Sequence, residues 1–296
     1  MASSGTILGI WLDDSAPNQS IAWLANCLAL ARWLRTQAHF LVPSSQIAAF
    51  KLASFPTELQ RQIGSIKMAE APSASLVEEA LSFQQQLRAR LVLLPHPQSG
   101  LRPKWSSLSQ KICQESQVPI VFIPEQRTFS KTPFSSLVVP ISGERKACNA
   151  LDYGLELAER GHLPVDLIHI TSRADEISLG AKYDQIHHEY PGQVEQLILR
   201  SSPLASPLRR LRIRQIEHVH GEIYPSLKKL IMRHQLPLVI LEWEGHVEPG
   251  RAQLIKSILQ ELAVPILLIL ARPRPEARLR VGQGFQPGGS NETGYR

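Results

Sequence analysis

Lys111-Ile-Cys-Gln-Glu-Ser-Gln-Val-Pro-Ile-Val-Phe-Ile123 returns, with substitutions, as Ser257-Ile-Leu-Gln-Glu-Leu-Ala-Val-Pro-Ile-Leu-Leu-Ile269. Ile, Gln, Glu, Val, Pro, Ile and the final Ile coincide at a constant spacing of 146 residues. Upstream, Ala89-Arg-Leu-Val-Leu-Leu94 matches Leu236-Pro-Leu-Val-Ile-Leu241, and Leu8 to Ser15 matches Leu137 to Glu144 at a spacing of 129. Self-similarity on this scale points to one unit that has been duplicated and has since diverged. Each copy of the quoted stretch reads as the end of an amphipathic helix followed by an apolar strand, Val118 to Ile123 in one and Val264 to Ile269 in the other.

Outward from that stretch, each unit alternates strands and helices. In the first, Thr6 to Leu12, Ala38 to Val42, Ser65 to Met68, Leu91 to Leu94 and Val118 to Ile123 read as strands. Helices are expected from about Ser20, over Pro56 to Ile63, through Leu76 to Leu87 and through Trp105 to Ile112. The second unit gives strands at Leu137 to Ile141, Val165 to Ile170, Leu211 to Val219, Leu238 to Leu241 and Val264 to Ile269. Its helices are expected through Leu151 to Ala158 and over Gln193 to Arg200, Tyr224 to Arg233 and Ala252 to Leu262. Short apolar strands alternating with helices call for a parallel sheet covered on both faces. The expected organisation is a first domain at 5–124, a linker at 125–134, a second domain at 135–271 and a basic tail at 272–296 too poor in apolar side chains to fold.

Composition narrows the function. With 43% hydrophobic and 20% charged residues the 296-residue chain is of ordinary globular type. The apolar run Ala263 to Ala271 is about half the ~20 residues of a membrane helix, so no integral membrane segment is expected. No secretory signal is read at the start of the chain, and three widely spaced cysteines (Cys27, Cys113, Cys148) suit a reducing, cytoplasmic location. They are expected on helices, packed as small apolar side chains. Half of the net charge of +6 sits in the tail, on Arg272, Arg274, Arg278, Arg280 and Arg296 against Glu276 and Glu292, so nucleic acid is not an expected partner.

Ser135-Ser-Leu-Val-Val-Pro-Ile-Ser-Gly143, the helix ending Leu155-Glu-Leu-Ala-Glu-Arg-Gly161 and the strand Val165-Asp-Leu-Ile-His169 resemble the opening of a universal stress protein domain. Val219-His-Gly-Glu-Ile223, Leu238-Val-Ile-Leu241 and Val264-Pro-Ile-Leu-Leu-Ile269 resemble its closing half, and the first unit fits the same template more loosely. The resemblance implies an α/β fold of two tandem domains, each a five-stranded parallel sheet sandwiched by helices, paired as a pseudo-dimer. In some members nucleotide lies at the carboxyl ends of the strands, held by an Asp after the first strand, a glycine-rich loop after the fourth and a Gly-Ser or Gly-Thr opening the last helix. Bare glycine backbone and a helix N-terminus are what a phosphate needs.

Carried onto this chain, the resemblance places Asp13 at the nucleoside-binding Asp and Ser106-Ser107 at the helix opening of the first unit, with Gly100 as an offset loop glycine. Pro95 and Gln98 stand at the two loop-glycine positions. In the second unit Ser142 takes the Asp position, with Gly143 beside it, and Gly221 and Gly245 are the remaining candidate glycines. Glu242 replaces the first loop glycine and Ala252-Gln253 the Gly-Ser. Prolines remove N–H donors, and Glu242, Glu244 and Glu248 place negative charge where phosphates would lie. The expected function is therefore a non-enzymatic, regulatory stress-response protein with ATP binding largely lost and a protein as partner. The alternatives are an adenine-nucleotide sensor taking ATP or AMP in the first domain, and a regulatory partner of a membrane transporter. The halves are expected to associate through Val118 to Ile123 and Val264 to Ile269, because each unit otherwise leaves an apolar edge unpaired.

Other patterns carry less. Gly282-Gln-Gly-Phe-Gln-Pro-Gly288 follows no strand and sits in the tail. His218, His220 and the pair His187-His188 have no carboxylate or Cys partner at ligand spacing. Asp13-Asp14 gives no acid/base pair, because neighbouring residues at a strand end point apart. Arg210, Arg212 and Arg214 alternate with Leu211 and Ile213 and are expected on one solvated face of an edge strand.

Overall fold

The computed structural model describes residues 6–10, 17–43, 57, 61, 63–69, 73–97, 106–124, 129, 133–141, 149–171, 212–243 and 251–270. In chain order these form β1 (Thr6–Ile10), α1 (Pro17–Leu34), β2 (Gln37–Pro43), β3 (Ile63–Ala69), α2 (Ser73–Leu87), β4 (Leu91–Pro95), α3 (Ser107–Glu115) and β5 (Ile120–Ile123). The series then repeats as β6 (Ser136–Ile141), α4 (Asn149–Gly161), β7 (Val165–Thr171), β8 (Ile213–His220), α5 (Ile223–Ile231), β9 (Pro237–Trp243), α6 (Arg251–Glu261) and β10 (Ile266–Leu270). The expected helices at 56–63 and 193–200, Trp105, Cys148 and the tail fall on residues outside those described in full.

All ten strands join in one sheet, ordered β3-β2-β1-β4-β5-β10-β9-β6-β7-β8. Every pairing is parallel except the central one, where β5 meets β10 antiparallel with Phe122 opposite Ile266, Val121 opposite Leu267 and Ile120 opposite Leu268. The two Val-Pro-Ile stretches thus lead into the seam that joins the halves, as expected. No apolar edge is left there, since each final strand is the other's neighbour.

The cores follow faces of the sheet rather than halves of the chain. One apolar cluster, under α1 and α4, takes in Trp23, Leu28, Phe40, Val121, Leu155 and Leu267; the other, under α2, α3, α5 and α6, takes in Phe83, Ile112, Phe122, Leu227, Ile258 and Ile266. Both run through the seam. On the first face Pro124, Phe129 and Phe134 are buried as well. Asn26, fully buried on α1, donates to Pro124 O (3.0 Å) and accepts from the Phe129 N–H (2.7 Å). Phe129 and Trp33 both meet Phe134 edge-to-face. Gly161, the last residue of α4, lies so close to the Trp33 ring that a methyl group there would overlap it.

Register exposes a slip in the sequence alignment of the opening strands. Ile7 pairs with Ala38 and Leu91, while Leu137 pairs with Val165 and Leu238. Ile7, not Leu8, is therefore the counterpart of Leu137, and the spacing there is 130 rather than 129. The burial agrees: Ile7 and Leu137 share one cluster, Leu8 and Val138 the other. A strand buried on both faces is apolar throughout, so resemblance between side chains does not fix its register.

Local signals account for the ends of elements. α1 starts at Pro17, earlier than its apolar stripe suggests, because proline suits the first helical position. α1, α2 and α4 each stop at a left-handed residue, Arg35 (φ 54°), Arg88 (φ 49°) and His162 (φ 54°). In each, the next N–H reaches back to a carbonyl of the last turn, as in Thr36 N to Ala31 O at 2.9 Å. The outer strands of both halves carry a bulge at one shared position. It lies between Ala38 and His39 against Gly64 in the first half, and between Val165 and Asp166 against Arg214 in the second. In the first half Gly64 leaves room for the His39 ring, which a Cβ would approach to 2.5 Å.

Among the described residues no helix is long and apolar enough to cross a membrane.

Candidate functional site

In a parallel sheet whose strand order reverses, the crevice opens at the carboxyl ends of the two strands flanking the reversal. Here those are β1 and β4 in the first half and β6 and β9 in the second. Of the candidate residues, Asp13, Gly100, Ser142, Gly143 and Gly245 lie outside the described residues.

In the first half the described rim consists of the end of β4, residues 96–97 and the start of α3. Pro95 and Pro97 have no N–H, and the N–H of His96, between them, donates to Ile123 O at 3.0 Å. Residues 95–97 therefore present no free backbone donor. The His96 side chain is buried against Phe122, with ring centroids 6.5 Å apart, and its Nδ1 lies 2.9 Å from Pro97 O. A carbonyl can only accept, so Nδ1 carries the proton and Nε2 is left as an acceptor; it has no hydrogen-bond partner among the described residues. Burial pushes the imidazole down to about 4, the Pro97 carbonyl opposing the shift, so the ring is neutral near pH 7. It adds no positive charge to this rim.

Ser106 and Ser107 are brought to the N-terminus of α3, as the sequence indicates. Ser106 is its N-cap: its Oγ accepts from the Ser109 N–H at 3.1 Å and lies 2.9 Å from Ser109 Oγ. A donor that a ligand's phosphate would otherwise meet is thus satisfied from within. Ser107 is exposed in the first turn.

In the second half Glu242 stands at the carboxyl end of β9. Its Oε1 accepts from Asn149 Nδ2 (3.1 Å), and Asn149 opens α4, the helix that comes after β6. A carboxylate of the protein thus lies beside a helix N-terminus at this crevice, where the partial positive charge favours an anion. Trp243, at the position of His96 in the first half, is buried. Gly221 is not brought to this place. It comes directly after β8, the outermost strand, two strands from β6, and its φ of +141° identifies it as a backbone turn into α5.

His96 and Asn149 are missed by a reading of the sequence. The alternation Pro95-His96-Pro97 is a visible sign that the first loop is not glycine-like. The Asn149–Glu242 contact spans 93 residues and has no local signature. The expected row of arginines also changes. β8 begins at Ile213, so Arg212 precedes it, and the bulge at Arg214 breaks the alternation. Arg212 contacts His162, Arg214 grips the buried Asp166, and Arg210 is outside the described residues. Cys27 and Cys113 are buried on α1 and α3, and burial raises the Cys113 thiol far above its ordinary range.

No family model and no curated protein matches the sequence. Solved structures do. A universal stress protein from Archaeoglobus fulgidus DSM 4304 superposes with a TM-score of 0.57 at 12% identity, over 91% of this chain and 100% of that one. A functionally unknown protein from Pseudomonas aeruginosa PAO1 gives 0.59 at 12% identity, over 90% and 93% of the two chains. The fold of this chain is that of the universal stress proteins.

Proposed function

We propose that this chain is a non-enzymatic regulatory protein of the universal stress type, in which the clefts inherited from a nucleotide-binding ancestor no longer grip phosphate. The observation that carries the reading is the backbone after β4: across Pro95-His96-Pro97 two N–H groups are missing and the third is spent on Ile123. A triphosphate depends on a cradle of bare N–H groups and a free helix N-terminus. Here Ser106 caps α3, and Glu242 occupies the corresponding crevice of the second half. Glu242 repels phosphate wherever its charge is retained. With the reacting phosphate ungripped, the described residues of the crevices offer no means to position it for hydrolysis or transfer. Its output is then carried by its surface, through a protein partner.

The reading is tested on protein purified without added nucleotide. Mass spectrometry of the released small molecules should show no stoichiometric adenine nucleotide, and incubation with ATP and Mg²⁺ should release no phosphate above background. A stoichiometric adenine nucleotide, or turnover lost in Ser107→Ala, would overturn it.

A further inference from the structure

The opposite, amino-terminal end of the second half holds a cavity of about 590 Å³ lined by Ser136, Arg214, Gln215, Glu217, Arg233 and His234, among others. That size falls within the range of small-molecule sites, about 300–1,000 Å³. Asp166, which does not line the cavity and whose carboxylate is fully buried, takes two hydrogen bonds from the lining residue Arg214: Nε to Oδ1 at 2.9 Å and Nη2 to Oδ2 at 2.5 Å. The pair locks the guanidinium in place while half of the Arg214 side chain stays exposed. Its Nη1 edge is not used by Asp166. Arg233 gives Nη1 to Glu217 at 2.8 Å, and its other edge meets no acceptor among the described residues. His234 Nδ1 lies 3.3 Å from Ser136 Oγ and 3.4 Å from Arg214 Nη2, both able to donate to it. Nδ1 is then the acceptor and Nε2–H a donor. Burial also lowers the His234 pKa, which agrees with a neutral ring. Ser136, His234 and Asp166 do not form a hydrolytic triad, since serine and carboxylate both meet the same ring nitrogen.

The first half provides an internal comparison. By strand register Gly64 stands where Arg214 does, His39 where Asp166 does and Thr6 where Ser136 does. There Thr6 Oγ1 simply donates to Leu87 O at 2.8 Å. The fold is therefore built without this cluster. A buried carboxylate is costly to keep, and its use here is to hold an arginine fork rigid.

We propose that this amino-end cavity binds a small molecule through an oxyanion, a carboxylate or a phosphate group, seated between the open edges of Arg214 and Arg233 with His234 Nε2–H as a third donor. Two guanidinium edges and a neutral imidazole suit bidentate oxyanion recognition. The site lies at the other end of the strands from the nucleotide-type crevice and does not depend on the function proposed above. The test is calorimetric titration of the full chain at low ionic strength with sodium succinate and with inorganic phosphate, read alongside the His234 ring signals in NMR. Wild-type protein should bind at least one of the two below about 1 mM, with the His234 signals moving in step. Binding of succinate alone identifies a carboxylate ligand, and binding of phosphate alone a phosphate. Arg233→Gln, outside the buried pair, should weaken binding roughly tenfold. Lys228→Gln, which breaks a surface pair with Glu261, should leave it unchanged. Absence of saturable binding by both probes up to about 10 mM would overturn the proposal. So would equal losses in the two variants, which would mean diffuse surface charge.

Discussion

Lowering the pH should destabilise this protein through His96, and the substitution His96→Phe isolates how much. In the unfolded chain the imidazole titrates near its ordinary 6.5; in the folded protein burial holds it down to about 4. Between those values the unfolded state binds a proton that the folded state refuses, so stability is fully present above pH 6.5 and is lost as pH falls toward 4. The gap corresponds to about 3 kcal/mol at its limit, and to about 2 kcal/mol between pH 7 and pH 5. Burial lowers His39 and His234 as well, so the wild-type slope alone is a mixture. The difference between wild type and His96→Phe removes their contribution. Urea unfolding of both proteins at pH 7 and pH 5 should therefore show wild type losing about 2 kcal/mol more than the variant. The His96 ring should remain neutral by NMR down to about pH 5. A His96 that titrates near 6.5, or a variant with the same pH dependence as wild type, would refute the reasoning and open the first crevice to water or an anion.

Asn26→Ala strands the Phe129 N–H and the Pro124 carbonyl in the interior and should cost about 3 kcal/mol in urea unfolding, although it lies in neither crevice. Arg214→Met leaves the buried Asp166 without its guanidinium partner and should cost about 3–5 kcal/mol; adding Asp166→Leu should recover most of that, which a double-mutant cycle measures. Gly161→Ala forces the Trp33 ring aside and should lower stability by about 1–3 kcal/mol, with a change in tryptophan fluorescence.

Repeats and periodicity made the architecture readable because they sit in contiguous residues. The Val-Pro-Ile pair announced β5 and β10, and the need to pair two apolar edges announced their meeting. Elements with a one-sided stripe, such as the helix through Leu151, Leu155 and Ala158, were found where they were expected. What failed to show was set by contacts between distant residues. The register of β1 against its copy slipped by one because Ile7, Leu8 and Ile10 are all apolar and all buried. The bulge opposite Val165 and Asp166 turned an apparent arginine row into one locked side chain and one loop residue. Of the candidate site, Ser106 was legible as a helix opener. The reason that it disfavours phosphate, its bond to the Ser109 N–H, belongs to the folded helix.

The backbone after β4 either can or cannot hold a phosphate chain, and the proposed function requires that it cannot. Calorimetric titration of ATP into the intact protein, with Mg²⁺ present and AMP run beside it, measures this directly. It should show no saturable heat up to about 1 mM for either nucleotide. Micromolar ATP binding that Asp13→Ala abolishes would contradict it, because the triphosphate would then be held at the crevice where Pro95 to Pro97 offer no free backbone donor.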